Sequence, residues 1–310
     1  ASYAGARAMT GTSGGGFSLM VEAFGLAGIA EIPLVVVNVQ RPGPATGLPT
    51  RTEQGDLKFM ISASQGEFPR MILSPRTHKD AFYQTIRAFD IAEKYQMPVV
   101  ILNDQFLGDA SGSVAPFDIS DIEVAEPLKD YEGEYLRYRY TESGISPRLI
   151  PGKTKHLVSV DSDEHDEAGK ITESATVRIK MADKRMRKLE MLEKELLEPE
   201  LIGAETFDTL LIGWGSTYGS ISEAVGLLNE KGNEKFSALV FGDVFPLPKK
   251  KLSEFTPKAK RIINIEMNAT GQFAGLIREQ TGIICGESVL KYDGRQITAD
   301  EIVQRILGGA

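Results

Sequence analysis

"PLVVVNVQRPGPATGLPTRTEQGDL", Pro33 to Leu57, is the stretch on which the reading of the fold turns. Its first eight residues form an apolar run rich in β-branched side chains, the pattern of a strand covered on both faces in a parallel sheet. A long loop follows, stiffened by Pro42, Pro44 and Pro49 and carrying Arg41, Thr46, Thr50, Arg51 and Glu53. Ligands of open α/β sheets sit at the carboxyl ends of the strands, where this loop begins. Rigid loops with fixed polar groups suit a binding site, and a guanidinium fork suits a carboxylate. The competing reading is a structural loop whose arginines pair with neighbouring acids.

Outward from this stretch the chain alternates strand and helix. "ARAMTGT" reads as a short strand, and "GGGFSLMVEAFGLAGIAE" as a helix with Phe17, Met20, Val21, Phe24 and Ala27 on one face. "HKDAFYQTIRAFDIAEKYQ" predicts an amphipathic helix with Phe82, Ile86, Phe89 and Ile91 inward, and "MPVVILND" another buried strand. This is the grammar of βαβ units and a parallel sheet. From Ile119 to Pro199 the chain is charged and turn-rich. There "YTESGISPRLIPGKTK" reads as an ordered loop. "TVRIKMADKRMRKLEMLEKELLE" reads as a surface-packed helix that buries Ala182, Met186, Leu189 and Leu196 and places Glu190 to pair with Lys194.

After Leu201 the βαβ grammar returns. "DTLLIGWGS", "FSALVFGDV", "RIINIEMN" and "ESVLKYDG" read as strands. "TYGSISEAVGLLNEKG" reads as a helix closed by Gly232, "GQFAGLIREQTG" as a helix, and "TADEIVQRILGG" as a terminal helix with a Thr298–Glu301 capping box. The expected organisation is an α/β domain over residues 1–118, a connecting excursion and helix over 119–200, and a second α/β domain over 201–310. "ASYAG" reads as the last turn of a helix capped by Gly5, so the domain is expected to continue upstream.

The 310 residues carry a net charge of −8, which argues against a general binder of nucleic acid or anionic membrane. A single cysteine, Cys285, excludes a disulfide framework and an iron–sulfur cluster held by this chain alone. His78, His156 and His165 show no metal-ligand spacing. With no signal peptide and no apolar run of membrane-spanning length, the cytoplasm is the expected compartment.

Three further stretches are candidates for chemistry. In "TGTSGGGFSLM", Thr10 to Met20, consecutive glycines between strand and helix let backbone approach a ligand, or let the helix pack closely on its sheet. It lacks the Lys-Ser/Thr of a phosphate loop. "GWGSTYGS", Gly213 to Ser220, is a weak dinucleotide fingerprint whose third glycine comes one residue late. In "EMNATGQF", Glu266 and Asn268 can cap a helix, bind, or face a partner. Cys285 reads as a small apolar residue.

"GARAMTGTSGGGFSLM", "VVVNVQRPGPATGLPTRTEQGDL", "LNDQFLGDA", "YLRYRYTESGISPRLIPG" and "IEMNATGQFAGLIREQTG" together resemble the alpha subunit of 2-oxoacid:ferredoxin oxidoreductases, in particular the 2-oxoglutarate-type branch. The resemblance covers nearly the whole chain. It implies a thiamine-diphosphate pyrimidine-binding-like domain followed by a transketolase C-terminal-like domain. It also implies oxidative decarboxylation of a 2-oxoacid with coenzyme A to acyl-CoA and CO2, electrons passing to ferredoxin. A beta subunit would supply the diphosphate and Mg2+ site and an iron–sulfur cluster. Arg41 matches the family arginine that holds the 2-oxoacid carboxylate, and Thr50 a nearby substrate-contacting threonine. Thr12, Ser13, Gly14, Gly15 and Gly16 match a turn near the cofactor or the subunit interface, in which the family often has proline at the position of Gly15. The family's catalytic glutamate and a Tyr-Pro-Ile-Thr-Pro segment match positions upstream of Ala1, so no residue here takes the catalytic role. Rival readings are a non-catalytic transketolase-like assembly module and a nucleotide-binding subunit using "GWGSTYGS".

Overall fold

The computed structural model describes residues 1–308 apart from 121, 123, 125 and 233. Residues 121, 123 and 125 of the expected excursion, and Gly309 at the end of the expected terminal helix, lie outside the described residues.

The strands are β1 (Met9–Thr12), β2 (Leu34–Gln40), β3 (Met71–Leu73), β4 (Pro98–Asp104), β5 (Leu201–Ile202), β6 (Thr209–Trp214), β7 (Phe236–Phe241), β8 (Asp243–Phe245), β9 (Arg261–Glu266) and β10 (Glu287–Leu290). They form two five-stranded sheets, ordered β1-β2-β4-β3-β8 and β10-β9-β6-β7-β5. Four strands of each sheet run parallel, and β8 and β5 close one edge of each antiparallel. The helices are α1 (Gly14–Phe17), α2 (Val21–Ile29), α3 (Leu57–Ser62), α4 (His78–Tyr95), α5 (Gln105–Asp109), α6 (Ala175–Leu192), α7 (Tyr218–Glu230), α8 (Lys250–Phe255), α9 (Gln272–Thr281) and α10 (Ala299–Gly308). Among them no helix is long and apolar enough to cross a membrane.

The two parallel sheets are not separate bodies. One continuous core contains Phe17, Phe24, Val36 and Leu57 from the first half and Phe207, Trp214, Phe241 and Phe273 from the second. β8 follows β7 of the second sheet after one residue, yet pairs with β3 of the first, Ile72 opposite Phe245 and Leu73 opposite Asp243. Asp243 is buried there and accepts both forks of Arg87 on α4, at 2.6 and 2.8 Å.

Several elements follow directly from local chemistry. β2 and β4 are apolar runs buried in mid-sheet and register residue for residue from Leu34↔Pro98 to Gln40↔Asp104. Thr77 caps α4 by accepting from the Asp80 amide at 3.1 Å. The capping box at α10 is as expected: Glu301 N donates to Thr298 Oγ1 at 3.2 Å and Thr298 N to Glu301 Oε2 at 2.9 Å.

Other expectations fail for physical reasons. Residues 14–29 form two helices, the first a single glycine-rich turn, separated by Ser18, Leu19 and Met20. "FSALVFGDV" is split into β7 and β8. Gly5 has the expected positive φ of 91°, but the residues before it form a turn, not a helix. On α4 the buried side chains are Gln84, Ala88, Ile91, Ala92 and Tyr95. Phe82 and Ile86 are half-buried, and Phe82 stacks on Phe117 of the excursion with ring centroids 3.9 Å apart. On α6 the buried face is the charged one, Met181, Lys184, Arg185, Lys188 and Leu192, while Met186 is 37% exposed. The helix ends at Leu192, short of Lys194, so Glu190 and Lys194 do not share one helix face.

Two acids make that inversion possible. Lys184 Nζ donates to Glu31 Oε1 at 2.6 Å, and Lys188 binds Glu31 Oε2 and donates to the Gln96 carbonyl at 3.2 Å. Arg185 and Arg178 converge on Glu164 at 2.8 and 2.6 Å. Burial alone would raise the Glu31 carboxyl, but the Lys188 and Lys184 ammoniums hold it far below the usual carboxylate range. Burial pulls the Lys188 ammonium down to about 8, against the attraction of Glu31.

Candidate active site

The carboxyl ends of β1, β2 and β4 meet the start of the Arg41 loop. β1 ends at Thr12, whose register partner on β2 is Asn38. Ser13 precedes α1 with extended backbone and makes no side-chain cap bond. Gly14 lies against the loop: a Cβ there would stand 2.5 Å from Asp56 Oδ2. Gly16 faces the Thr12 side chain with no room for a Cβ, whereas a Cβ on exposed Gly15 would meet only the Ala45 carbonyl at 3.9 Å. The bare backbone therefore serves two close contacts, and the glycine turn and the proline-rich loop come together as one surface.

Arg41 is half-buried directly after β2, and Thr50 is exposed further along the loop. Between them the Gly43–Pro44 peptide is cis, and Gly47 (φ 53°) sits where the Pro42 carbonyl would block a side chain. The loop's stem is closed by the buried Gln40 side chain, whose Oε1 accepts from the Asp56 amide at 3.0 Å. Asn38 Nδ2 donates to Asp56 Oδ2 at 2.9 Å. Burial raises the Asp56 carboxyl, opposed by that bond, and burial with the Asp56 charge raises Glu53. Asp104, at the end of β4, is also raised by burial despite accepting from the Ser216 hydroxyl and from Leu107 N at 3.1 Å.

The second half of the chain supplies the wall behind this surface. Glu266, at the end of β9, is fully buried and accepts from Trp214 Nε1 (3.2 Å), Asn264 Nδ2 (2.8 Å), Asn268 Nδ2 (2.7 Å), Phe273 N (2.9 Å) and Ala274 N (3.0 Å). Asn268 Oδ1 caps the turn into α9, accepting from Gly271 N at 2.8 Å. Cys285 packs against the main core, and burial, with Glu266 adding, pushes its thiol up to about 11. It is built as an apolar filler.

"GWGSTYGS" has no room for a nucleotide at its first turn. Gly215, Ser216 and Thr217 are buried, and a Cβ on Gly215 would meet Ser74 Oγ and Gln54 Nε2 from the first half. Sequence reasoning passed over Asn38, Gln40, Gln54, Asp56 and Asp104. For Asn38, Gln40 and Asp104 the available signal was a polar residue at the end of an otherwise apolar run; Gln54 and Asp56 lie in the polar segment "TEQGD".

Residues 1–184 match the family described as pyruvate flavodoxin/ferredoxin oxidoreductase, thiamine diP-binding. The chain is 39% identical over 316 residues to the alpha subunit of 2-oxoacid:ferredoxin oxidoreductase 1 of Aeropyrum pernix, covering 99% of this chain and 49% of that one. The chain belongs to the 2-oxoacid:ferredoxin oxidoreductase alpha-subunit family.

A solved relative, the 2-oxoglutarate:ferredoxin oxidoreductase from Magnetococcus marinus with 2-oxoglutarate, coenzyme A and succinyl-CoA bound, superposes with a TM-score of 0.91 at 35% identity, over 98% of this chain and 53% of that one. A split-gene transketolase shares the fold alone, with a TM-score of 0.53 at 12% identity over 97% of this chain and 74% of that one. The two-sheet α/β architecture expected for the family is thus the architecture found. The chain spans about half the length of the Aeropyrum pernix relative.

The residues at the strand ends suit the ring side of a thiamine cofactor better than its charged end. Asn38 Oδ1, Gln40 Nε2 and Asn103 Oδ1 are buried without a hydrogen-bond partner in this chain, so amide donors and acceptors are in supply. Among the described residues no group of three or more His, Cys, Asp or Glu could hold a metal ion.

Proposed function

We propose that this chain is the alpha component of a thiamine-diphosphate-dependent 2-oxoacid:ferredoxin oxidoreductase. The whole enzyme would convert a 2-oxoacid, with 2-oxoglutarate preferred, and coenzyme A to acyl-CoA and CO2, passing two electrons to ferredoxin in the cytoplasm. Family membership supports the reaction class, and the ligands named for the 35%-identical relative support 2-oxoglutarate. The carrying observation is the loop that bears Arg41 directly after β2: Gln40 and Asp56 close it, and its Asp56 and Ala45 lie against the glycine turn.

Thiamine diphosphate, when bound, supplies the carbanion chemistry of decarboxylation. Thr12, Ser13, Gly14, Gly15 and Gly16 would border its ring side or the subunit interface, with Asn38 and Gln40 beneath. The Arg41 guanidinium would bind the substrate carboxylate in a two-pronged pair, and Thr50 would orient the substrate from the loop. In this reading a beta chain carries Mg2+, the diphosphate site and an iron–sulfur cluster.

The test is viologen reduction by the full-length protein purified with its accompanying chain, dependent on thiamine diphosphate and coenzyme A, across pyruvate, 2-oxobutyrate and 2-oxoglutarate. Preference for 2-oxoglutarate, with KM raised strongly by Arg41→Ala, is expected. No reduction from a complex holding both cofactor and cluster would move the chain to the non-catalytic assembly reading. An unchanged KM in the variant would remove Arg41 from the carboxylate site.

A further inference from the structure

We propose that Gln54, Asn268 and Glu266 are positioning residues for the substrate loop, so that the second half of the chain sets the affinity for the 2-oxoacid. The proposal rests on the reading of Arg41 and Thr50 as substrate-binding residues.

The loop leaves the first sheet at Arg41, and residues 43–51 are exposed along its outer course. Its far end is fastened to the other half of the chain. Gln54 is fully buried, and its main chain and side chain both bond across the boundary. Gln54 N donates to the Met267 carbonyl at 2.6 Å, and Gln54 Oε1 accepts from Met267 N at 3.1 Å. Gln54 Nε2 donates to the Trp214 carbonyl at 2.8 Å, and the Gln54 carbonyl accepts from Asn268 Nδ2 at 3.1 Å. The neighbouring residues follow suit. Gln272 Nε2 donates to the Gly55 carbonyl at 2.7 Å, and Lys58 N donates to Gln272 Oε1 at 2.9 Å.

Behind Gln54 stands Glu266. All five of its donors are neutral: two backbone amides at the start of α9, two asparagine amides and an indole. Its charge is matched by the positive end of the helix. A buried carboxylate that relies on oriented dipoles fixes those dipoles, because each donor lost leaves charge uncompensated. The Asn268 amide is one of them, shared between Glu266 Oε2 and the Gln54 carbonyl. The relay therefore runs from helix terminus to carboxylate, to Asn268, to Gln54, and ends four residues from Thr50. Binding sites are sensitive to displacements of an ångström, so a loop end held by four directional bonds fixes where the loop's polar groups point.

The experiment compares three variants in the intact complex: Gln54→Met, Arg41→Ala, and Arg87→Met, which breaks a cross-boundary contact at Asp243, remote in sequence from the loop. Gln54→Met keeps the side-chain length and the main-chain bonds. It should raise KM for the 2-oxoacid about ten-fold, with kcat, cofactor content and KM for coenzyme A nearly unchanged. Arg87→Met should lower thermal stability and leave KM alone.

Gln54→Glu adds a reading independent of the other variants. Its protonated form restores the donor to the Trp214 carbonyl, so its KM should fall toward the parent value as pH is lowered. A KM unchanged in Gln54→Met and Gln54→Glu beside a raised one in Arg41→Ala overturns the positioning role alone. So does an Arg87→Met variant with an equally raised KM. An unchanged KM in Arg41→Ala overturns the substrate reading, and this proposal with it.

Discussion

Gly14 and Gly15 are adjacent and chemically identical, yet their surroundings are opposite. A methyl group on Gly14 would drive into the Asp56 carboxylate, while one on Gly15 would make only an ordinary contact with the Ala45 carbonyl at 3.9 Å. Both lie in a helical turn that alanine adopts readily. Gly15→Ala is expected to stabilise the protein by about 0.4–1 kcal/mol, through fewer conformations in the unfolded chain. Gly14→Ala is expected to cost about 1–3 kcal/mol by overpacking. Urea denaturation of the two variants checks the pair; equal effects would mean that Asp56 does not press on the turn. At this scale the sequence was legible only in part. A run of glycines announces close approach, but the partner lies some forty residues on, and no periodicity points to it. Gln54 and Asp56 were likewise visible as part of "TEQGD", while their bonds depend on where β9 and β2 end.

The element least legible from its own residues is α6. Spacing singled out Ala182, Met186 and Leu189, but the helix turns Lys184, Arg185 and Lys188 inward because Glu31 and Glu164 wait there. Hydrophobic periodicity cannot see counter-charges outside the helix, 153 residues away for Glu31 and 21 for Glu164. The buried cluster has more cations than anions, with Arg137 also donating to the Glu31 carbonyl at 2.7 Å. Glu31→Gln, which leaves two buried ammoniums without their carboxylate, should cost about 3–5 kcal/mol. Lys188→Met should cost less, since Lys184 still holds Glu31.

The pH dependence follows from the two shifts. Glu31 is held below its ordinary range, so the folded chain binds fewer protons there than the unfolded chain, and its contribution is lost as pH falls below about 4.5. Lys188 is depressed from 10.5 to about 8, so between those values the unfolded chain keeps a proton that the folded chain has shed. Its contribution to stability therefore rises with pH across that window. Thermal melts at pH 7.5 and 9.5 should show the parent gaining on Lys188→Met as pH rises. By contrast, β2, β4 and the capped helix α10 could be read from local pattern alone, because strand burial on both faces and end-capping are written in neighbouring residues.

For the whole molecule, the shared core and the crossing of β8 predict a single cooperative unfolding transition, in spite of two sheets. Calorimetry should give one peak, and Arg87→Met should shift it as a unit; two resolved peaks would show that the halves unfold independently. The βαβ grammar did disclose two parallel sheets. It could not disclose that a three-residue strand from one would finish the other, since β3 and β8 are too short to carry a pattern of their own.

That crossing has a consequence during synthesis. Leu73 pairs with Asp243, so the first sheet's outer strand lacks its neighbour until the chain has grown by another 170 residues. At ordinary elongation speeds this takes roughly ten to thirty seconds. Through that interval the emerging polypeptide offers an unpaired ladder edge to any other nascent chain within reach.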